Sequence, residues 1–469
     1  MTATDEHPRA PASRWFAPVD GSSVALFRIA FGVLMAIATL RFFAHDWIAD
    51  YFVMPRHFLT YYGFDWVKPW PGPGMYIHFG AMLVLSVMVA IGWRYRISVV
   101  VFGALFAYAH LIDKTNYLNH YYLVICLCGL MAFLPLDRVW SVAARRDDRG
   151  PWIPVWVVWA LRGQIALVYV FGGIAKLKPD WLIDAQPMKI WLAANTDFPV
   201  IGPWFSEPWV AHAFSIAGAV FDLSIVPLLL WRRTRVFAYA ALVVFHLVTA
   251  RLFHLGMFPW IMMAASLVLL PPDWPRRLLA RLRGGAGEPR ASRRVPEPTP
   301  RRRRLVIATL GVYFAFHVAM PLRHWLYPGD VCWTEQGFRF AWNVMLMEKD
   351  GSVEFHVREP ATGRRWEVAP TEYLTRYQAK MTATQPDMIL QLAHIIADDF
   401  RARGVADPEV RVDAFASLNG RPAARLIDPA FDLARERDRL SAQPWIIPTW
   451  DQPMRRPGAT TTAYRGAVP

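Results

Sequence analysis

The stretch VALFRIAFGVLMAIATLRFFA, Val24 to Ala44, decides the fold. Its 21 residues match the ~20 that an α-helix needs to cross the hydrocarbon core of a bilayer. The run is too long for the apolar core of a signal peptide. No small-residue cleavage pattern follows it, so it reads as an uncleaved span. Working outward, further apolar runs lie near residues 75–93, 97–112, 120–136, 153–175, 209–231, 235–252, 255–270 and 305–326. The expected fold is therefore an α-helical polytopic membrane bundle of 8–9 transmembrane helices. Composition agrees. The chain has 469 residues, 55% hydrophobic and only 19% charged, with a mean hydropathy of +0.21. That is more apolar than an ordinary soluble domain.

The formal charge of +14 has two readings, a nucleic-acid binder or a membrane protein with basic loops. The first spreads Lys and Arg over a moderately apolar fold. Here they fall in short segments between long apolar runs, so membrane lipids are the expected surroundings and nucleic acid is not a partner. With the N-terminus inside, one set of loops holds Arg94 and Arg96, Arg138 to Arg149, Arg232, Arg233, Arg235 and the stretch from Arg276 to Arg304. The opposite loops hold few basic residues. This asymmetry predicts a cytoplasmic N-terminus. Residues 1–20 are polar and Pro-rich and are expected to be disordered. The bundle is expected over 21–275, a basic cytoplasmic linker over 276–304 and a last transmembrane helix over 305–326. A small extracytoplasmic α+β domain is expected over 327–469. There GSVEFHV and RRWEVAP alternate like strands, a helix starts near Thr384, and Asn419-Gly420 marks a hairpin. Three cysteines give no disulfide framework and no zinc spacing; Cys126 and Cys128 read as small buried hydrophobes. No metal is expected.

Ionisable residues inside spans need a reason. Arg28 reads as an arginine snorkelling to the inner face. Arg162 and Asp222 lie equally deep and are expected to form an interhelical ion pair. On the other side of the bilayer, regions distant in sequence bring polar groups to one depth: Asn119 and His120; Lys176 above Gly172 and Gly173; His246, Arg251 and His254; Arg323 and His324. Taken singly, a lysine there is an interfacial anchor and a histidine part of an aromatic belt. Taken together, they describe an apolar pocket with a lysine and several histidines at its mouth. A desolvated lysine can serve as a base, which suits a lipid-soluble substrate such as a quinone and equally a transporter's site.

Several ordered motifs resemble the vitamin K-dependent γ-glutamyl carboxylase family, including bacterial homologues with the horizontally transferred transmembrane domain. These are D-K-T-x-x-x-N-H (Asp113 to His120), G-x-x-K-L with D-W (Gly173 to Trp181), FH…LF…GMF (Phe245 to Phe258), P-x-x-H (Pro321, His324) and RFAWNVML (Arg339 to Leu346). The resemblance implies a lysine, here Lys176, that deprotonates vitamin K hydroquinone (or menaquinol). Oxygen adds, and the resulting alkoxide removes the γ-proton of a glutamyl side chain. The carbanion captures CO2 and the quinone leaves as an epoxide. It implies that Asn119 bonds a quinone oxygen and that His120 assists near the glutamate or CO2. His246 and His324 match family histidines, and Trp342 and Met345 match residues near the quinone. A glutamate-containing peptide or protein would be the substrate. Met347 and Lys349 stand where the animal enzymes have His and Arg. The alternatives are a quinone-binding membrane oxygenase with another acceptor, or a membrane carrier for a lipophilic or anionic substrate. A carrier often shows inverted repeats with helices broken at the midplane, and no motif repeats between the halves here.

Overall fold

The computed structural model describes residues 14–146, 150–253, 255–284 and 297–450. Most of the expected disordered N-terminus, the middle of the basic linker and His254 lie outside the described residues. The chain divides into two compact units. The helical unit contains the chain up to Leu177, Ile216–Arg323 and the short segment Arg339–Val344. The sheet unit contains Lys178–Ser215, His324–Phe338 and the chain from Met345 onward.

Among the described residues nine apolar helices lie near the runs that hydropathy marks. They are α1 (Ser22–Ala44), α2 (Gly74–Ile91), α3 (Tyr95–Ile112), α4 (Asn119–Phe133), α5 (Val155–Ala175), α6 (Pro208–Leu230), α7 (Arg235–Leu252), α8 (Phe258–Ser266), and, after the basic helix α9 (Trp274–Leu282), α10 (Pro300–Leu322). Among the described residues seven of them are long and apolar enough to cross a membrane; α4 and α8 are apolar but shorter. Close packing rests on small residues. A Cβ on Gly32 of α1 would lie 2.5 Å from the backbone nitrogen of Ala90 on α2, so only glycine allows this approach. Two three-residue strands, β1 (Pro18–Asp20) and β2 (Trp152–Pro154), pair antiparallel and tie the starts of α1 and α5 together.

Both span arginines depart from expectation, for one reason. Arg28 does not snorkel. Its guanidinium is fully buried and donates to the carbonyls of Val89 (2.8 Å), Ala90, Leu136 (3.1 Å), Val139 (3.4 Å) and Trp140 (2.7 Å). Arg162 does not pair with Asp222. It donates to the carbonyls of Val268 (2.8 Å) and Leu270 (2.7 Å), where α8 ends. The last carbonyls of any helix lack intrahelical donors. In a membrane they cannot borrow water, so each of these arginines satisfies several at once.

The sheet unit is built as its alternation predicts. β3 (Lys349–Arg358), β4 (Arg365–Val368), β5 (Glu409–Leu418) and β6 (Ala424–Arg425) form an antiparallel sheet in the order β4-β3-β5-β6. Val410, Val412, Ala414, Ala416 and Leu418 of β5 point inward together and α11 (Pro386–Ala402) packs on that sheet with Met388, Leu392 and Ile396 buried. Asn419 and Gly420 both adopt positive φ (54° and 77°), and Arg421 N–H closes the turn on Leu418 O at 3.1 Å. This is the geometry for which an Asn-Gly pair is suited. The segment Lys178–Ser215 belongs to the same unit. Arg421 grips Asp180 through both oxygens at 2.7 Å, and Asn419 Nδ2 adds a bond at 2.8 Å. Burial pushes the Asp180 carboxyl up, but these bonds outweigh it and hold the group below the usual carboxylate range.

Candidate active site

The D-K-T run forms a turn that sets the start of α4. Asp113 Oδ1 accepts from the backbone and hydroxyl of Thr115 at 2.9 and 2.8 Å. All three residues are buried. Asn119 is the first residue of α4 and His120 the second. The Tyr117 hydroxyl donates to Asn119 Oδ1 at 3.0 Å and itself accepts from Phe340 N–H at 2.7 Å. Asn119 Nδ2 donates to Asn343 O at 3.1 Å. In these bonds the carboxamide uses one of its two donors and one of its lone pairs. The His120 ring is buried between Tyr121 and Phe258, with centroids 4.7 and 6.1 Å away, and makes no hydrogen bond among the described residues. Gly256, at φ 57°, leaves its ring uncrowded: a Cβ there would stay 3.9 Å from it.

Lys176 ends α5 and folds back along it. Its Nζ donates to Asp222 Oδ2 at 2.7 Å, to Gly172 O at 3.2 Å and to Val344 O at 3.5 Å. Both charged side chains are nearly covered, at 7% and 11% exposure, so this is a buried ion pair. The carboxylate expected to meet Arg162 belongs to Lys176 instead. Gly172 makes room beside the pair, since a Cβ there would touch nothing closer than Asp222 Oδ2 at 3.6 Å and Trp342 O at 4.0 Å.

The segment Arg339–Val344 supplies the wall of this site. The sequence places it at the start of the outer domain, but it packs within the helical unit. Phe340 and Trp342 both hold positive φ, 62° and 56°, a conformation that costs non-glycine residues energy and persists only when the surroundings fix it. What fixes it is visible. Tyr117 binds the Phe340 amide, and the Trp342 indole packs on the Tyr122 ring at 5.0 Å. Tyr122 is in turn bonded to His317 Nδ1 of α10 at 3.1 Å.

His246 is buried on α7. Its Nε2 lies 3.0 Å from the Tyr169 hydroxyl, which lies 3.1 Å from Ser266 Oγ. Phe258 is shared between the two histidines, 6.2 Å from the His246 ring and 6.1 Å from that of His120. Five of the seven expected site residues, Asn119, His120, Lys176, His246 and Trp342, thus lie in the helical unit. His324 and Met345 belong to the sheet unit, where His324 lies against Gly337.

The donor set fits an aromatic diol or dione. Trp342 Nε1 and His246 Nδ1 are buried without a hydrogen-bond partner among the described residues. Unpartnered ring nitrogens of this kind suit ring oxygens. No group of three or more His, Cys, Asp or Glu side chains is placed to hold a metal among the described residues.

Sequence reasoning did not assign Asp222 to Lys176 and did not find Tyr169 or the carbonyls of Asn343 and Val344. Asp222 carried a signal, a carboxylate alone in an apolar span. Tyr169 carried none, because a tyrosine in a span reads as packing.

Helices, buried lysine and outer sheet together define a multi-pass membrane protein with an enzyme-like polar site and an extracytoplasmic-type C-terminal domain. The chain belongs to the vitamin K-dependent gamma-carboxylase family. The HTTM domain matches residues 16–274, and the lumenal domain of vitamin K-dependent gamma-carboxylase matches residues 302–452. No solved structure matches the chain. The family implies vitamin K hydroquinone, O2 and CO2 as co-substrates and a lipid environment.

Proposed function

We propose that this protein couples oxidation of a membrane quinol, vitamin K hydroquinone or menaquinol, to carboxylation of glutamyl side chains. Bound in reduced form, vitamin K together with O2 supplies a base stronger than any side chain at neutral pH. The chain's own residues hold that group and move its first proton. Lys176 is the base. An ammonium cannot accept a proton, so its extra proton first passes to Asp222 across the 2.7 Å contact, leaving a neutral amine and a neutral acid. A site poor in water favours that exchange, because two neutral groups need no solvation. Asn119, with a spare N–H, and the Trp342 indole N–H orient ring oxygens. His120 and His246, on either side of Phe258, serve the glutamyl side or the CO2. His324 and Met345 belong to the sheet unit, and that unit receives the protein substrate.

The buried Lys176–Asp222 pair beside the Trp342 wall carries this reading. A purely structural cation at a helix end is more cheaply left in water. The N-terminus is cytoplasmic in this proposal, with the bundle at 21–275, the last span at 305–326 and the outer domain from 327. The test incubates purified protein with reduced quinones, O2, labelled bicarbonate and a Glu-containing peptide, beside Lys176→Ala. Epoxide and fixed label that vanish in the variant support the proposal. Neither product with any quinone refutes it.

One observation favours the oxygenase alternative. Lys349, at the position aligned with an animal arginine, is spent within the sheet unit: its Nζ donates to Trp333 O at 2.7 Å and Glu335 at 3.0 Å. Its charge is therefore matched and unavailable to an incoming glutamate. Epoxide without fixed label would select this alternative.

A further inference from the structure

Three residues on three helices form a short polar chain inside the helical unit. Tyr169 lies in α5, His246 in α7, and Ser266 closes α8. Ser266 Oγ is 3.1 Å from the Tyr169 hydroxyl, and that hydroxyl is 3.0 Å from His246 Nε2. All three side chains are buried. Such a chain constrains its own protons, because each bond needs one donor and every idle buried polar group is costly.

The charge of the ring comes first. Phe221, Phe245 and Phe258 stand edge-on to the His246 ring, with centroids 6.3, 5.4 and 6.2 Å away. Among the described residues no carboxylate pairs with it, so an imidazolium would be a buried charge without a partner. The ring is therefore neutral and carries one proton, on Nε2 or on Nδ1. Suppose Nε2 carries it. Nε2–H then donates to the tyrosine oxygen and the tyrosine hydroxyl donates to Ser266 Oγ. The serine proton is left with no acceptor among the described residues. Suppose instead that Nδ1 carries it. Ser266 then donates to Tyr169, and Tyr169 donates to the bare Nε2. This second arrangement leaves neither hydroxyl proton idle, and it gives the ring an N–H at Nδ1, outside the chain.

We propose that Ser266 and Tyr169 are positioning residues that fix the Nδ1–H tautomer of His246, so that His246 serves the reaction as a neutral hydrogen-bond donor to a substrate oxygen and not as a base. The tautomer follows from the chain alone. The donor role rests on the function proposed above, which sets His246 beside the bound substrates. A fixed N–H of this kind favours an oxygen that gains negative charge during reaction. The quinol ring and the glutamyl carboxylate both offer one.

The test reads the tautomer directly. Nitrogen magnetic resonance on the full chain in lipid vesicles, carrying isotope-labelled histidine, tells a protonated ring nitrogen from a bare one. His246→Asn identifies the His246 signals by their loss. The wild type should hold the proton on Nδ1. In Tyr169→Phe, which keeps the ring and drops the hydroxyl, the Nε2–H form should appear. A proton on Nε2 in the wild type, or an unchanged tautomer in Tyr169→Phe, overturns the inference. Turnover gives the second readout. The amide nitrogen of asparagine stands in for Nδ1 and that of glutamine for Nε2. His246→Asn should therefore keep about tenfold more activity than His246→Gln, the worth of one bond to a charged oxygen. The substrate whose KM rises in His246→Gln, quinol or glutamyl peptide, is the one that supplies the oxygen. Equal activity in the two variants overturns the donor role. A wild type that makes no product with any quinone refutes the proposed function and the donor role with it, and the spectrum still decides the tautomer.

Discussion

Replacing Asp222 by Asn removes the carboxylate that neutralises Lys176 and leaves the shape nearly intact. At 2.7 Å and an effective dielectric of ~20, the two charges attract by about 6 kcal/mol. Much of that attraction is offset by the cost of burying both groups. The asymmetry matters more than the sum. With Asp222 gone, Lys176 loses its carboxylate and keeps neutral contacts such as the carbonyls of Gly172 and Val344, and removing one partner of a buried ion pair costs about 3–5 kcal/mol. Replacing both partners, as Lys176→Met with Asp222→Leu, removes both burial penalties and should cost much less than the two single changes added together. Reversible unfolding in mixed micelles, run as a double-mutant cycle, measures the coupling. Quinol-dependent turnover measured on the same samples should be lost in Asp222→Asn, because Lys176 then has no carboxylate to take its proton. A single-variant cost under about 1 kcal/mol, or additivity within about 0.5 kcal/mol, would refute the claim that the pair is buried and coupled.

Three further expectations follow from the same reasoning. Arg28→Met strips donors from five carbonyls at once and should cost more than about 4 kcal/mol, read as a collapse in yield and melting temperature; Arg28→Lys should recover only part of it, since an ammonium cannot span the set. Asp180 has its carboxyl held low in the folded state, so its stabilisation is complete above the unfolded carboxylate value of about 3.9 and is lost as pH falls below that. Acid titration of the melting temperature should show this loss in the wild type and not in Asp180→Asn. A cysteine introduced beside Gly420 should react with an impermeant thiol reagent in intact cells; labelling only after permeabilisation would reverse the proposed orientation.

Much of the candidate site was legible because its residues are exceptional for their surroundings. A lysine at the end of an apolar helix, a histidine after an asparagine at a helix start, and a histidine within a span are each visible in one dimension. The segment Arg339–Val344 was legible as a motif and not as a place. Nothing in RFAWNV states that Phe340 and Trp342 adopt positive φ, because the backbone cost is met by Tyr117 and Tyr122, more than 200 residues away. Arg28 and Arg162 show the same limit. Sequence says that a buried arginine needs partners, and the partners turned out to be backbone carbonyls, which every residue has and no pattern marks.

The sequence by itself determined that the chain enters a membrane, where its apolar helices lie, which of its loops are basic, and that a sheet follows with Asn419-Gly420 at a turn. These are properties of local hydropathy, charge and backbone preference, each set by neighbours a few residues apart. Only the tertiary structure decided that Asp222 serves Lys176 and not Arg162, and that Trp342 lines the helical unit. Those choices depend on how each helix is rotated about its axis. That rotation is fixed by packing between segments far apart in the chain.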